Sequence, residues 1–447
     1  MLIYLIALLV SLYTLSLFNN GKRSEGLFVL LLCAISWFEP NLGLIGLDGL
    51  TMRMIGENAS LISVILLLLF KKKSYESIGK KSYKTLSVLV LILIAYSVFR
   101  GFSTIITGKE SLFNVIALLK PSFILLSLFV IRDINKEDCI NALAKLVKLT
   151  TMIGVIAFLQ VIVGFNLFGN TILEYDEGVD RFWSPYTVAA FCCMYTLVIN
   201  SSKKYTFLFF LLLVILPLRR GILISVLLSI VIFFMFEIRH NKMPKGVFVV
   251  ALAGLLALPF LASRFSSQTD NASSDIRAVM SGKIDYANFR NGVTGGSFLF
   301  RVAILAERID YLANRGSELY TGVGLIHERT AQKKFNFSLG VFTRVNGERI
   351  PQQIDTVDIV WAPMIMRLGL IGVFLYLLLF GYMLWFFIKN AKISRWSILG
   401  AMYVFCALTN SVADNQLVSY FSIFLYFILF KMVVAEKRYL QRERVQG

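Results

Sequence analysis

Histidine and cysteine are scarce in this sequence of 447 residues. Its two histidines, His240 and His327, are too few for a site built from several histidine ligands. Its five cysteines lie in or beside apolar segments, so they predict neither a disulfide framework nor a metal site. The glycines follow no nucleotide-binding pattern, and no segment is repeated. We therefore expect no metal and no cofactor.

The composition predicts a membrane protein. Apolar residues make up 57% of the chain, and the mean hydropathy is +0.72. Soluble domains are about 45–50% apolar, so a soluble enzyme or a disordered chain is excluded. Because one membrane-spanning helix needs about 20 apolar residues, the sequence predicts an all-α polytopic protein with about 13 spans (about 12–14).

The apolar runs define the domain organisation. They lie at 2–18, 27–46, 53–70, 86–106, 112–131, 147–168, 186–200, 205–218, 221–236, 246–261, 364–388, 396–413 and 417–434. The first run lacks a preceding basic region and a cleavage site, so we interpret it as a retained span. The predicted parts are a membrane domain of about ten spans at 1–261, a large loop at 262–360 with a helical stretch near 299–314, a membrane domain of about three spans at 361–435, and a basic tail at 436–447.

The basic residues predict the orientation. The net charge of +18 arises largely from lysines in alternate loops, so it indicates membrane topology and no nucleic-acid partner. Positively charged loops face the cytoplasm. This rule places the N-terminus and the large loop outside, and the C-terminus inside.

Lysine and arginine are distributed differently between the two faces. In this topology lysine predominates in the cytoplasmic loops, whereas most arginines lie on the outer face and in the spans. Arginine has a planar fork that suits bidentate contact with phosphate. An anionic ligand outside the membrane, such as a lipid pyrophosphate, is one interpretation. The other is that a long loop escapes the rule and its arginines form ordinary ion pairs.

Arg219 and Arg220 are the strongest binding candidates. They stand at the outer end of a tight helical hairpin, with no acidic residue nearby in sequence. Ionised groups at membrane depth are costly and mark functional sites. The alternative is that both side chains reach into the interface without a ligand.

Three arginines recur every seven residues in the large loop: Arg301, Arg308 and Arg315. On a helix they form one stripe. One interpretation is a solvated face paired with Glu307 and Asp310, which we favour for Arg308 and Arg315 more than for Arg301.

The same loop contains candidates for a general base. Gly322 and Gly324 permit a sharp turn just before His327. A histidine there could accept a proton near neutral pH, or it could be structural. Asp355 and Asp358, at the end of the loop, could orient or deprotonate a sugar hydroxyl, or form an exposed acidic loop end.

The order of these features resembles the superfamily of O-antigen ligases and Wzy-type O-antigen polymerases. The resemblance is carried by Arg219-Arg220-Gly221, by Arg301, by Gly322-Val-Gly324 and by Leu368-Gly-Leu-Ile-Gly372. The segment Asp180-Arg181-Phe-Trp-Ser-Pro185-Tyr186 is similar to the Arg-plus-Pro signature of that family. Ligases carry a histidine where this chain has Asp358.

The resemblance implies a metal-independent glycosyltransferase with a GT-C-like membrane fold in the bacterial inner membrane. Its donor and acceptor would be oligosaccharides on undecaprenyl pyrophosphate at the periplasmic face, without a cofactor. Pyrophosphate would be held by Arg181, Arg219, Arg220 and Arg301, and either Asp358 or His327 would be the base. We expect a repeat-unit polymerase. The alternative is a ligase that transfers the glycan to lipid A core, and a flippase is less favoured. Besides membrane lipid, a chain-length regulator and a flippase are expected partners in an assembly complex.

Overall fold

The computed structural model describes residues 2–42, 52–70, 80–164, 167–168, 172–176, 179–200, 203–238, 297–340, 342–345, 348–356 and 359–446. This part of the chain is mainly helical. Helices and strands are numbered through the described residues. Six helical segments are long and apolar enough to cross a membrane: Leu2–Asn19, Met52–Phe70, Tyr83–Ile106, Leu112–Arg132, Lys136–Val163 and Trp361–Asn390.

The elements before the large loop are α1 (Leu2–Asn19), α2 (Arg23–Ala34), α3 (Met52–Phe70), α4 (Lys80–Ile106), α5 (Leu112–Phe123), α6 (Ser127–Arg132), α7 (Lys136–Val163), β1 (Ile172–Asp176), β2 (Val179–Phe182), α8 (Tyr186–Val198), α9 (Lys204–Ile215) and α10 (Arg220–Ile238). Those that follow are α11 (Ser297–Ala313), α12 (Ser317–Thr321), α13 (Glu328–Lys334), β3 (Phe342–Val345), β4 (Glu348–Pro351), α14 (Trp361–Asn390), α15 (Arg395–Asn410) and α16 (Tyr420–Gln446). Short 3-10 helices lie at Ser36–Phe38, Ile124–Leu126 and Gln416–Val418.

The helices confirm a multi-span membrane protein, but not the full predicted number of spans. The predicted span at 27–46 overlaps the short α2, which ends at Ala34 and is followed by a 3-10 helix. The predicted span at 246–261 lies outside the described residues. Three further apolar helices are shorter, at Tyr186–Val198, Lys204–Ile215 and Gly221–Glu237. The total of about 13 spans and the GT-C-like arrangement stay predictions.

The centre of the bundle is α16. Its residues from Tyr420 to Val434 are buried, and apart from Ser422 and Lys431 they are apolar or aromatic, as expected for a helix packed on all sides. Aromatic rings fill the space around it: Phe430 stacks on Phe386 with ring centroids 4.1 Å apart and meets Tyr83 edge-on at 5.3 Å. Large rings supply much of the buried apolar area that holds the helices together.

One end of the bundle is rich in lysine. We call it the lysine end, and it comprises the described residues of the connections 20–22, 133–135, 199–203 and 391–394 with the end of α16. Lys145 in α7 pairs with Glu25 in α2 at 2.6 Å, and Arg395 in α15 donates to the carbonyl of Val198 at 3.1 Å. These contacts join connections that the alternating topology places on one side.

The opposite end holds the other described connections and the described residues of the large loop. We call it the loop end, and it comprises the described residues of 35–42, 107–111, 164–185, 216–219, 297–360 and 411–419. Pro40 forms a bridge with Phe168, whose ring stacks on Trp183 at 5.7 Å. Trp361 Nε1 donates to Ser411 Oγ at 2.9 Å. Successive long helices therefore run between the two ends in alternate directions.

The described residues of the large loop pack onto α14. Helix α11 corresponds to the helical stretch predicted near 299–314. An apolar cluster of the loop, which includes Leu312, Phe335 and Phe337, packs against Ile365 and Met366 of α14. Two antiparallel hairpins, β1–β2 and β3–β4, are additions that the helical prediction missed.

Candidate functional site

Arg219 lies at the loop end and contacts Tyr186, the first residue of α8. Its Nη1 donates to the Tyr186 hydroxyl at 2.8 Å, and its guanidinium carbon lies 4.8 Å from the centre of the tyrosine ring. The Arg219 residue is exposed. Ser184 Oγ donates to the carbonyl of Leu213 at 2.6 Å, which fixes the start of α8 against the end of α9. The structure thus brings the Arg219-Arg220-Gly221 turn next to Tyr186, the last residue of the segment with the Arg-plus-Pro pattern.

The other predicted phosphate ligands are described only in part. Arg220 begins α10 and Arg181 lies in β2, opposite Glu174. The side chains of Arg181 and Arg220 lie outside the described part of the structure. Arg301 is partly buried near the start of α11. Its neighbour Phe300 packs against the same apolar cluster as Trp361 at the start of α14.

The hairpin that carries Arg219 packs onto the end of α15. A Cβ atom on Gly221 would lie 2.6 Å from the Cβ of Ala413 and 2.9 Å from Asn410 Oδ1, so only glycine allows this approach. Asp414 follows directly, and its carboxylate interacts with the Tyr186 hydroxyl. The phenol is therefore shared between a guanidinium and a carboxylate.

Arg53 extends this polar cluster. Its Nε is 2.9 Å from Glu57 Oε1, and Glu39 and Asp414 add favourable electrostatic interactions. The side chain of Arg53 is 69% exposed, so it can still meet a ligand from solvent. Arg53, Tyr186, Arg219 and Asp414 form what we call the arginine cluster.

Sequence reasoning missed Arg53 and Asp414 as functional candidates. A signal exists for both. Asp414 is the only acidic residue in the connection 411–419, and Arg53 stands at the start of a predicted span with Glu57 one turn later. Each is an ionisable group at the border of an apolar run, which is the pattern that singled out Arg219.

The Gly322-Val-Gly324 turn packs against a kink in α14. Gly322, Gly324 and Gly369 all have positive φ angles, of 72°, 106° and 64°. A Cβ on Gly322 would lie 2.6 Å from the carbonyl carbon of Arg367, and a Cβ on Gly369 would overlap the Tyr320 carbonyl. The two glycine-rich motifs therefore meet, backbone against backbone.

Helix α4 holds this joint from the other side. Arg100, which is 8% exposed, donates to the carbonyl of Gly322 at 2.8 Å. Thr104 Oγ1 accepts from the Leu325 amide at 2.9 Å, and the Tyr96 hydroxyl donates to the Leu368 carbonyl at 2.8 Å. We call these contacts the glycine joint. In the described structure Gly322 lies against the backbone of α14, whereas Gly324 lies against Thr104 of α4.

His327 caps the N-terminus of α13. Its Nδ1 accepts from the Arg329 amide at 3.3 Å, and its own amide donates to Glu110 Oε2 at 2.9 Å. A neutral imidazole that accepts at Nδ1 carries its proton on Nε2. In this state neither ring nitrogen has a lone pair available for an acceptor hydroxyl.

Glu110 is itself held by several donors. Partial burial alone would raise the pKa of this carboxyl, but hydrogen bonds from Asn114 and from the His327 and Ser111 amides lower it to about 2. Glu110 therefore stays ionised and fixes the start of α13 to the connection between α4 and α5.

Asp355 and Arg367 form a bidentate ion pair. The two distances are 2.7 Å from Nη1 to Oδ1 and 2.9 Å from Nη2 to Oδ2. Glu328 accepts from three successive amides, those of Gln353, Ile354 and Asp355. Asp355 is thus engaged in holding the end of the loop. Asp358, the other acidic base candidate, lies outside the described residues.

The interpretation that Arg308 lies on a solvated helix face is wrong. Arg308 pairs with Glu307 as expected, at 2.7 Å, but its side chain is 0% exposed and does not form a solvated face. Its guanidinium donates to the carbonyls of Leu339, Gln352 and Gln353 and lies 4.5 Å from the centre of the Phe337 ring. Burial lowers its pKa to about 10. The seven-residue spacing of the arginines can be recognised in the sequence, but the segments of the loop that bury Arg308 cannot.

A comparison of the chain with models of known protein families and with curated proteins found no match.

Proposed function

We propose that this chain is a glycosyltransferase that polymerises oligosaccharide repeat units carried on undecaprenyl pyrophosphate. The observation that carries the proposal is the arginine cluster at the loop end. There an exposed arginine, Arg219, is held in place by Tyr186, and the carboxylate of Asp414 interacts both with Tyr186 and with a second exposed arginine, Arg53. Exposed guanidinium groups beside an apolar bundle suit a ligand with an anionic headgroup and an apolar tail.

The proposed orientation puts the loop end outside the membrane. The lysines gather at the opposite end, and the positive-inside rule assigns that end to the cytoplasm. The reaction would then take place at the periplasmic face of the bacterial inner membrane, where lipid-linked repeat units that have been flipped across the membrane are presented.

In the proposed reaction the bond between the anomeric carbon and the pyrophosphate oxygen breaks. A bond to the acceptor hydroxyl oxygen forms, and the hydroxyl proton passes to a base. Arg219, with Arg181, Arg220 and Arg301, would stabilise the negative charge that grows on the departing pyrophosphate. Donors placed in advance at such a position are the most effective form of electrostatic catalysis. This chemistry needs no metal.

A carboxylate is the base that we favour. The Nδ1 atom of His327 accepts a backbone hydrogen bond, which leaves the neutral ring without a free lone pair. Asp358 is the candidate from the sequence, and Asp414 is added by its interaction with Tyr186 beside Arg219.

The test is a comparison of surface glycans and lipid-linked glycans from a strain that lacks this gene and from the complemented strain. A polymerase predicts surface lipid with a single repeat unit and no ladder. Long chains that accumulate on undecaprenyl pyrophosphate, with bare surface lipid, would instead identify a ligase. Single units trapped on the cytoplasmic side would identify a flippase and overturn the catalytic proposal.

A further inference from the structure

A groove at the lysine end is separate from the arginine cluster. It has a volume of about 690 Å³ and lies between α7, α8 and α9. Its mouth is formed by Lys148, Asn200 and Lys203, and its apolar wall by Met152, Val155 and Ile156. Gly154 lets α7 pack directly against Leu213 and Phe209 of α9.

The apolar wall faces outwards. Met152 is 55% exposed and Val155 is 46% exposed, although both belong to a helix that is long and apolar enough to span a membrane. Such side chains on a spanning helix are covered by lipid. The wall is thus a surface suited to an acyl chain.

The mouth of the groove is positively charged. Lys148 and Lys203 are both exposed, and the described residues that line the groove include no acidic side chain. Within the described part of the chain neither lysine forms an ion pair, whereas Lys145, one turn earlier on α7, pairs with Glu25. Asn200 and Thr206 add polar groups to the lining of the groove. This arrangement is complementary to a phosphate diester at the level of a lipid headgroup.

We propose that this groove binds one anionic glycerophospholipid, with its phosphate between Lys148 and Lys203 and one acyl chain along Met152, Val155 and Ile156. The volume falls in the range of about 300–1,000 Å³ that is typical of small-molecule sites. The groove opens at the end opposite the large loop, so the inference does not depend on the proposed glycosyltransferase activity.

The experiment is native mass spectrometry of the full chain, purified in mild detergent and incubated with phosphatidylglycerol or with phosphatidylcholine of the same acyl chains. We expect one phosphatidylglycerol to be retained in preference to phosphatidylcholine. Each surface lysine contributes about a fivefold preference for an anionic headgroup, so the double variant Lys148→Gln/Lys203→Gln should lower retention by about 10- to 30-fold. Equal retention of the two lipids, or an unchanged double variant, would overturn the proposal.

Two further variants distinguish binding of the lipid headgroup from binding of the acyl chain. Lys204→Gln is the matched control, because Lys204 is exposed next to Lys203 but does not line the groove. It should retain phosphatidylglycerol like the wild type. Val155→Trp fills the wall and keeps both lysines, so it should also reduce retention. Melting temperatures of all the variants confirm that they are folded.

Competition identifies the source of the phosphate. Millimolar inorganic phosphate should not displace the bound lipid, since it gains nothing from the apolar wall. Displacement by inorganic phosphate would mean a simple anion site. Displacement by equimolar undecaprenyl phosphate would mean that the groove selects a polyprenyl chain. Either result contradicts the phospholipid assignment.

Discussion

Arg219 and Tyr186 contact each other in two ways, through a hydrogen bond of 2.8 Å and through a guanidinium that lies 4.8 Å from the ring centre. An exposed arginine normally loses side-chain entropy when it binds a ligand. The phenol limits the rotamers of Arg219 before the ligand arrives and leaves the remaining guanidinium donors for it. Tyr186 is in this sense a positioning residue for Arg219.

Replacement of Arg219 tests the pyrophosphate role. We expect Arg219→Ala to abolish the glycan ladder at normal protein level. Arg219→Lys should restore little, because lysine lacks the planar fork. Tyr186→Phe keeps the ring contact but loses the hydrogen bond, so polymer should be reduced. Arg220→Ala and Arg301→Ala should behave like Arg219→Ala.

The chain offers a matched control for Arg219. Arg315 is also exposed at the loop end and lies over a tyrosine, 4.4 Å from the ring centre of Tyr311, and it pairs with Glu318 at 3.6 Å. Arg315→Ala should leave the ladder unchanged. A normal ladder from well-expressed Arg219→Ala would refute the phosphate-binding role.

Substitution by asparagine distinguishes the candidate bases from one another. Asparagine caps helices well, so His327→Asn should keep both the fold and the ladder, whereas His327→Ala should cost about 1 kcal/mol of stability. Loss of a general base slows a reaction by about 10²- to 10⁴-fold. We expect that loss, at normal protein level, in Asp414→Asn or in Asp358→Asn.

Activity of the three amide variants identifies the base directly. An inactive but folded His327→Asn beside active Asp414→Asn and Asp358→Asn would assign the role to His327 and contradict our preference. Activity of all three would exclude His327, Asp414 and Asp358 as the base.

The glycine joint is expected to be sensitive to one added methyl group. Gly322→Ala and Gly369→Ala place a Cβ into neighbouring backbone at positive φ, and strained backbone of this kind costs about 1–3 kcal/mol per residue. Both variants should melt at a lower temperature than the wild type in detergent, and the loop should become more sensitive to protease.

Two glycines serve as controls for the joint. Gly381 lies in the same helix, α14, with nothing within 4 Å of an added Cβ, so Gly381→Ala should be neutral or slightly stabilising. Gly108 has a positive φ of 64° in open space. Gly108→Ala therefore measures the loss of stability that a positive φ angle alone causes. If Gly322→Ala is no worse than Gly108→Ala, the packing argument is wrong.

The sequence predicted the helical, membrane-spanning character of the chain because hydropathy depends on composition and run length alone. It also pointed to Arg219, whose charge at the border of two apolar runs is conspicuous. It did not reveal that Asp414 and Arg219 meet at Tyr186, or that Arg53 lies near Asp414, since these residues come from distant parts of the chain. Asp414 comes close because α10, which begins directly after Arg219, packs against α15.

Arg308 is another residue whose surroundings could not be predicted from the sequence. Spacing placed it on a helical stripe with Arg301 and Arg315, but the loop folds back so that Leu339, Gln352 and Gln353 cover it with their carbonyls. Likewise the two glycine-rich motifs were recognised separately. Only the kink at Gly369 explains why they belong together.

Acid should weaken the attachment of α13 through Glu110. The folded-state pKa of about 2 is below the ordinary value of 4.5. A lowered carboxyl pKa stabilises the fold above the unfolded value, so the contribution is complete above about pH 4.5 and is lost as the pH falls toward 2. Because Glu110 is only partly buried, solvent screening limits the contribution to about 1 kcal/mol.

Melting curves at pH 7 and pH 3 provide the measurement. Glu110→Gln should be less stable than the wild type at pH 7, and the difference should shrink at pH 3. A difference that stays constant across this range would show that the charge of Glu110 does not hold the loop.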